Sequence, residues 1–168
     1  MITADAPDYS ASTIFCDDIR HEIGGKTSCI GIYSGTMYVH SAFPIVLPKF
    51  CMSVTYVQRS KIFLDEPIKI KIFLPGDEDD TPSIEAEIPL PPEAKQSADK
   101  AVLEAAPGTQ PATVVHGEFV LSPFTISKPG PIKVRVVRDE KLIRAGALTV
   151  KPAEPMALPP PAAETPPS

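Results

Sequence analysis

The chain has 168 residues, 22% of them charged, and a net charge of −5. That length suits a single domain able to bury about 70% of its unfolded surface. A mildly acidic surface with no basic run longer than two residues excludes polyanion recognition, which needs clustered Lys and Arg, so no nucleic-acid partner is expected.

No apolar stretch approaches the roughly 18 residues of a spanning helix, so no membrane partner is expected either. The opening "MITADAPDYSA" lacks the cationic and apolar regions of a signal peptide. Cys16, Cys29 and Cys51 form an odd set without metal-ligand spacing, which points to reduced thiols in a bacterial cytoplasm. The chain holds 21 Pro and no Trp, and its apolar segments are rich in Val, Ile and Thr. These features favour an all-β architecture.

Residues 1–11 read as a flexible arm ahead of a single domain over 12–151. The first element is a hairpin in "TIFCDDIRHEIGGKTSCIGIYSG", with Gly24-Gly25 as a two-residue turn. In that register Ile23 faces Lys26, Arg20 faces Cys29 and Ile19 faces Ile30. Phe15, Asp17, Ile19, Ile30 and Ile32 then share one face, and Cys16, Asp18, Arg20, Cys29 and Tyr33 the other. Asp18 and Arg20 are i, i+2 neighbours suited to an ion pair, whereas Asp17 lies among apolar neighbours and needs donors if buried. Tyr33 and Tyr38 flank "SGT" at a second hairpin turn, and "FPIVLPKFCMSVTYV" supplies further apolar strands.

"PIKIKIFLPG" alternates Ile68, Ile70, Ile72 and Leu74 against Lys69 and Lys71. "SIEAEIPL" repeats the pattern with Ile84, Ala86, Ile88 and Leu90 against Glu85 and Glu87. The two suit an antiparallel pair whose outer lysines and glutamates meet across it. "PPEAKQSADKAVLEAAPG" breaks the pattern, with Ala94, Ala98, Ala101 and Ala105 at helical spacing. A short surface helix over about 92–105 is expected there, within a helical or loop insertion at 91–111.

"GEFVLSPFTI" is again strand-like. "PIKVRVV" then places Ile132, Val134 and Val136 inward, and "RDEK" supplies a tight turn centred on Asp139 and Glu140. On the return strand Ile143 and Ala145 face the core, but Leu148 and Val150 have the opposite parity. A β-bulge near Gly146 repairs the mismatch. Residues 152–168 read as a disordered Pro-rich tail, since such a composition forms neither ladders nor a core.

Among candidate chemistries, "GGKTS" fails as a phosphate loop because its first Gly would fall on Arg20 and a strand follows the Lys. A Cys16/His21 dyad meets the parity objection: the two are five apart and point to opposite faces of a regular strand. The loop Asp77-Glu78-Asp79-Asp80 offers Asp77, Asp79 and Asp80 as weak calcium ligands. It departs from the EF-hand pattern at Pro82 and Ile88, so a solvated acidic turn is preferred. No G-x-S-x-G elbow exists. No catalytic residue and no cofactor is therefore assigned.

"FCDDIRHEIGGKTSCIGIY", followed by "FPIVLPKFCMSVTY" and "KPGPIKVRVVRDEKLIRAGALTV", resembles a domain-of-unknown-function family of small bacterial proteins. The similarity covers roughly residues 12–75 and 117–150. The family carries no established activity, so the resemblance implies a small sandwich-type cytoplasmic domain and no catalytic residue. It makes Asp17, Asp18 and Arg20 a feature of the hairpin.

The expected fold is an antiparallel β-sandwich of about seven to nine strands, immunoglobulin-like or C2-like, with a short helix in one connection. The expected function is a non-enzymatic module that binds an as yet unidentified protein partner, with Asp17, Asp18 and Arg20 as a structural or interaction cluster. The alternatives are a hydrolase or metal-dependent site around Cys16, Asp17, Asp18 and His21, and a small-ligand or calcium-binding sandwich using the 77–80 loop.

Overall fold

The computed structural model describes residues 9–59, 67–89, 112–138 and 140–154, with isolated positions in the 93–106 segment. Glu93, Gln96, Lys100 and Leu103 are helical there, but most of the helix expected over 92–105 lies outside the described residues, as do 1–8 and the tail from 155.

Twelve strands are described. They are β1 (Tyr9–Cys16), β2 (Asp18–Glu22), β3 (Lys26–Ile30), β4 (Thr36–Val39), β5 (Ile45–Leu47) and β6 (Phe50–Arg59), then β7 (Ile68–Phe73), β8 (Ile84–Ile88), β9 (Ala112–Leu121), β10 (Phe124–Ile126), β11 (Gly130–Arg138) and β12 (Lys141–Pro152). The chain is thus nearly all β, with twelve described strands where about seven to nine were expected, since Pro48 and Pro123 split two of the apolar runs and a bend at Asp17 splits a third. A three-stranded antiparallel sheet runs β1-β6-β9, and a five-stranded sheet runs β4-β12-β11-β7-β8. Two small sheets, β2-β3 and β10-β5, complete the set.

The amphipathic pair forms as its alternation dictates. Ile68, Ile70 and Ile72 are buried, and Lys69 meets Glu87 at 3.2 Å and Lys71 meets Glu85 at 3.6 Å across the ladder. Asp77 organises the intervening loop, since one carboxylate oxygen accepts from the Leu74 N–H (2.7 Å) and the Ser83 N–H (3.0 Å).

The C-terminal hairpin turns between Arg138 and Lys141, with Glu140 at positive φ. Its register jumps from Val134↔Gly146 to Arg135↔Arg144, so Ala145 is the extra residue of a bulge. The bulge lets Ala145, Leu148 and Val150 all be buried despite their mixed parity.

Two expectations fail. The "SGT" stretch is not a hairpin turn: β4 instead pairs in parallel with the end of β12, beginning where Thr149 N–H donates to Gly35 O at 3.0 Å. This parallel ladder is the exception to an otherwise antiparallel set of described pairs, and it joins segments more than a hundred residues apart in sequence. The Gly-Gly turn also holds three residues, not two. Glu22 pairs with Lys26, so Ile23 joins Gly24 and Gly25 in the loop and projects wholly into solvent. Both glycines have positive φ, 86° and 74°, which makes this longer loop accessible.

Buried side chains of the two larger sheets merge into one core. Phe50, Met52, Val54 and Tyr56 come from β6 and meet Ile70, Val134 and Leu148 from the five-stranded sheet. Each fully buried residue of this size contributes roughly 1.5–3 kcal/mol relative to exposure. Phe50 is central, stacked on Phe124 at 5.0 Å between centroids and flanked by Phe15 and Tyr33.

Candidate functional site

The Asp17 backbone is the pivot of the N-terminal segment. β1 ends at Cys16 and β2 starts at Asp18, with a bend between them. The Asp17 N–H donates to Ile30 O (3.0 Å) and Gly31 O (3.3 Å), and the Tyr33 N–H donates to Phe15 O (2.9 Å). These bonds fold the β2-β3 hairpin back beside the end of β1.

The bend also resets strand parity. Cys16 shares its parity with the exposed Ile14, and its ladder partner Cys51 shares its parity with Ser53 and Thr55. These positions belong to the outward face of the three-stranded sheet, yet both cysteines are fully buried. Ile19 and Cys29 cover them and form a second small apolar cluster apart from the main core. His21 reaches Glu118 of β9, with Nε2 3.1 Å from Oε2. The hairpin is therefore a flap laid on the outer face.

The one-residue register shift accounts for this arrangement. Ile19 pairs with Cys29, not Ile30, so Cys29 turns inward beside Ile19 while Ile30 and Ile32 stay exposed. The face assignment read from the two-residue turn is thereby corrected. Cys29 and Ile19 share a side, and the separation of Cys16 from Ile19 does not hold.

The three thiols thus meet. Burial, followed by contact with Cys29, pushes the Cys16 thiol up to about 12, and burial also raises Cys51. Cys51 Sγ donates weakly to Asp17 O at 3.7 Å. Cys16 and His21 engage different partners, the first within the thiol cluster and the second at Glu118.

The carboxylates have their own neighbours. Asp17 is exposed, contrary to the apolar surroundings expected for it, and accepts a hydrogen bond from the Tyr33 hydroxyl. Burial and this bond together raise the Tyr33 phenol. Asp18 pairs with Arg20, Nε to Oδ2 3.0 Å, as the i, i+2 spacing suggested. Lys49, which sequence reasoning missed, holds the other Asp18 oxygen. Lys49 first and Arg20 second keep the Asp18 carboxyl below its ordinary value of 3.8. Nothing in the local sequence marks Lys49, because it arrives from the turn before β6.

The acidic loop disperses its charge. Asp77 serves backbone amides, Asp79 pairs with Lys133, and Asp80 accepts from Thr81 Oγ1 at 3.1 Å. Burial alone would raise Asp77, but bonds from Ser83 and Leu74 bring it down. Among the described residues no group of three His, Cys, Asp or Glu is placed to hold a metal ion. No described helix is long and apolar enough to cross a membrane.

A further surface brings Tyr33 and Tyr38 together with residues of β5. A cleft of 420 Å³ lies between β4 and β5, lined by Tyr33, Met37, Tyr38, Val39, Pro44 and Val46 among others. β4 takes its ladder from β12 and β5 from β10, so the two strands are not paired with each other. Tyr38 and Val46 are 64% and 62% exposed at its walls. The parallel β4-β12 ladder that builds one wall is long-range, which is why no local pattern signalled the cleft.

No curated protein and no solved structure matches the chain. Residues 11–151 match the model of a family of unknown function, DUF6941, and the chain belongs to that family.

Proposed function

We propose that the protein is a non-enzymatic interaction module that receives an extended segment of a protein partner in the cleft between β4 and β5. The observation that carries this reading is the pair of exposed apolar walls, Tyr38 and Val46, facing an open 420 Å³ cleft between strands that share no ladder. Large exposed apolar side chains around a concavity favour a partner, and an aromatic with a polar tip suits a peptide backbone. In this reading Asp17, Asp18 and Arg20 serve the hairpin, since their charges are already engaged by Tyr33, Lys49 and each other.

The fold that presents the cleft reads as a β-sandwich of immunoglobulin-like or C2-like kind, supported by the single core shared by the two larger sheets. A reducing bacterial cytoplasm fits three free cysteines, two of them buried.

The test places a photo-crosslinking amino acid at position 38 or, as a control, at position 87 on the far edge of the five-stranded sheet, and expresses each chain in its native host. A discrete adduct from position 38, lost when Val46→Asp is added without a change in melting temperature, is the expected result. Equal adducts from both positions would end this reading.

A further inference from the structure

We propose that Cys29 and Cys16 form a thiol–disulfide site at which Cys29 reacts first with a low-molecular-weight disulfide and Cys16 resolves the adduct, locking the β2-β3 flap onto the sheet. None of the three thiols lines the cleft, and the site does not depend on the cleft's function.

Geometry distinguishes the three thiols. Cys29 is half-buried on β3, while Cys16 and Cys51 have no solvent exposure, so an external oxidant meets Cys29. Cys29 packs against the buried cluster that holds Cys16, whereas Cys51 Sγ is turned to the Asp17 carbonyl. Cys16 is therefore the resolving partner. Cys16 and Cys51 face each other directly in the ladder, a spacing of about 4.5–5.5 Å between Cα atoms that also permits a disulfide, so the competing link is a real alternative to test.

The chemistry balances in two exchanges. The Cys29 thiolate attacks one sulfur of oxidised glutathione, forming the mixed disulfide and expelling one glutathione thiolate, which takes the proton Cys29 lost. Cys16 then attacks Cys29 Sγ, forming the Cys16–Cys29 bond and expelling the second glutathione, which takes the Cys16 proton. Two protein thiols are oxidised by two electrons and one glutathione disulfide is reduced to two thiols. Burial keeps Cys16 protonated near neutrality, so the second exchange is the slow one and quickens with rising pH.

The full-length chain is incubated with oxidised glutathione and followed by intact mass and peptide mapping. The expected product is lighter by two hydrogens, retains one of the three free thiols, and contains a linked Cys16–Cys29 peptide pair. Cys16→Ser should stop at a stable glutathione adduct on Cys29, Cys29→Ser should not react while folded, and Cys51→Ser should behave as the parent. A lasting adduct on Cys29 of the parent chain, a Cys16–Cys51 link, or no reaction of the folded protein would each overturn the proposal. Should the variants fail to fold, phenylarsine oxide tests the parent directly. Its arsenic bridges two close thiols with loss of water, so one equivalent should protect Cys16 and Cys29 from alkylation. Failure to protect them would overturn the pairing.

Discussion

Gly31 holds φ at +67°, and a Cβ built there would strike the Asp17 carboxylate and come within 3.0 Å of the Asp17 Cβ. Gly24 has a similar φ of +86° but open space around it. Both positions impose the left-handed strain of about 1 kcal/mol on alanine, and only Gly31 adds a collision with the residue that Tyr33 anchors. Gly31→Ala is expected to lose about 2–3 kcal/mol in denaturant unfolding and Gly24→Ala about 1 kcal/mol. Asp18 yields a pH prediction. Its folded pKa is depressed, so its contribution is present above the unfolded value near 3.8 and lost as pH falls through the folded value. Lys49 is raised, chiefly by the hydrogen bond it donates to Asp18, so its contribution is present below the ordinary 10.5 and lost as pH rises through the folded value. The melting-temperature gap between the parent and Asp18→Asn should therefore be widest between these limits and narrow at both extremes.

The β11-β12 hairpin shows what one residue does to an element. Ala145 is the extra residue between Val134↔Gly146 and Arg135↔Arg144, and beyond it Leu148 and Val150 are fully buried. Deleting Ala145 restores a regular ladder and turns one side of the strand over. Exposing Leu148 and Val150 costs roughly 3–6 kcal/mol, comparable to the whole stability of a domain. The deletion should abolish or severely weaken cooperative unfolding, read by circular dichroism. This bulge was legible because both flanking halves alternate cleanly and their parities conflict on paper. The same was true of β7 and β8, whose Lys and Glu rows match by spacing alone. The β2-β3 hairpin was not legible in register. Two adjacent glycines accept a two- or a three-residue loop equally well, and the Asp17 bend resets the parity count just where Cys16, Cys29 and Ile19 are decided. Lys49 at Asp18 and the β4-β12 pairing depend on approaches from distant sequence, which no local period encodes.

At the scale of the molecule, Phe50 connects the core to the flap. It is fully buried, stacks on Phe124 of β10 and packs beside Phe15 of β1, and its third ring neighbour is Tyr33, whose hydroxyl binds Asp17 at the pivot. Phe50→Ala should cost about 3–5 kcal/mol, the usual penalty for emptying an aromatic core site. Phe50→Leu keeps most of the volume and should cost less, leaving a folded protein in which Tyr33 has lost an aromatic neighbour. If the flap is held through this chain of contacts, amide exchange in Phe50→Leu should accelerate more at Asp17 and Tyr33, whose N–H groups bond Ile30 and Phe15, than at Lys71 or Val134 in the five-stranded sheet. Uniform acceleration would mean that Phe50 supports only global stability. A selective loss at the pivot would show that access to the thiols beneath the flap is set from the core.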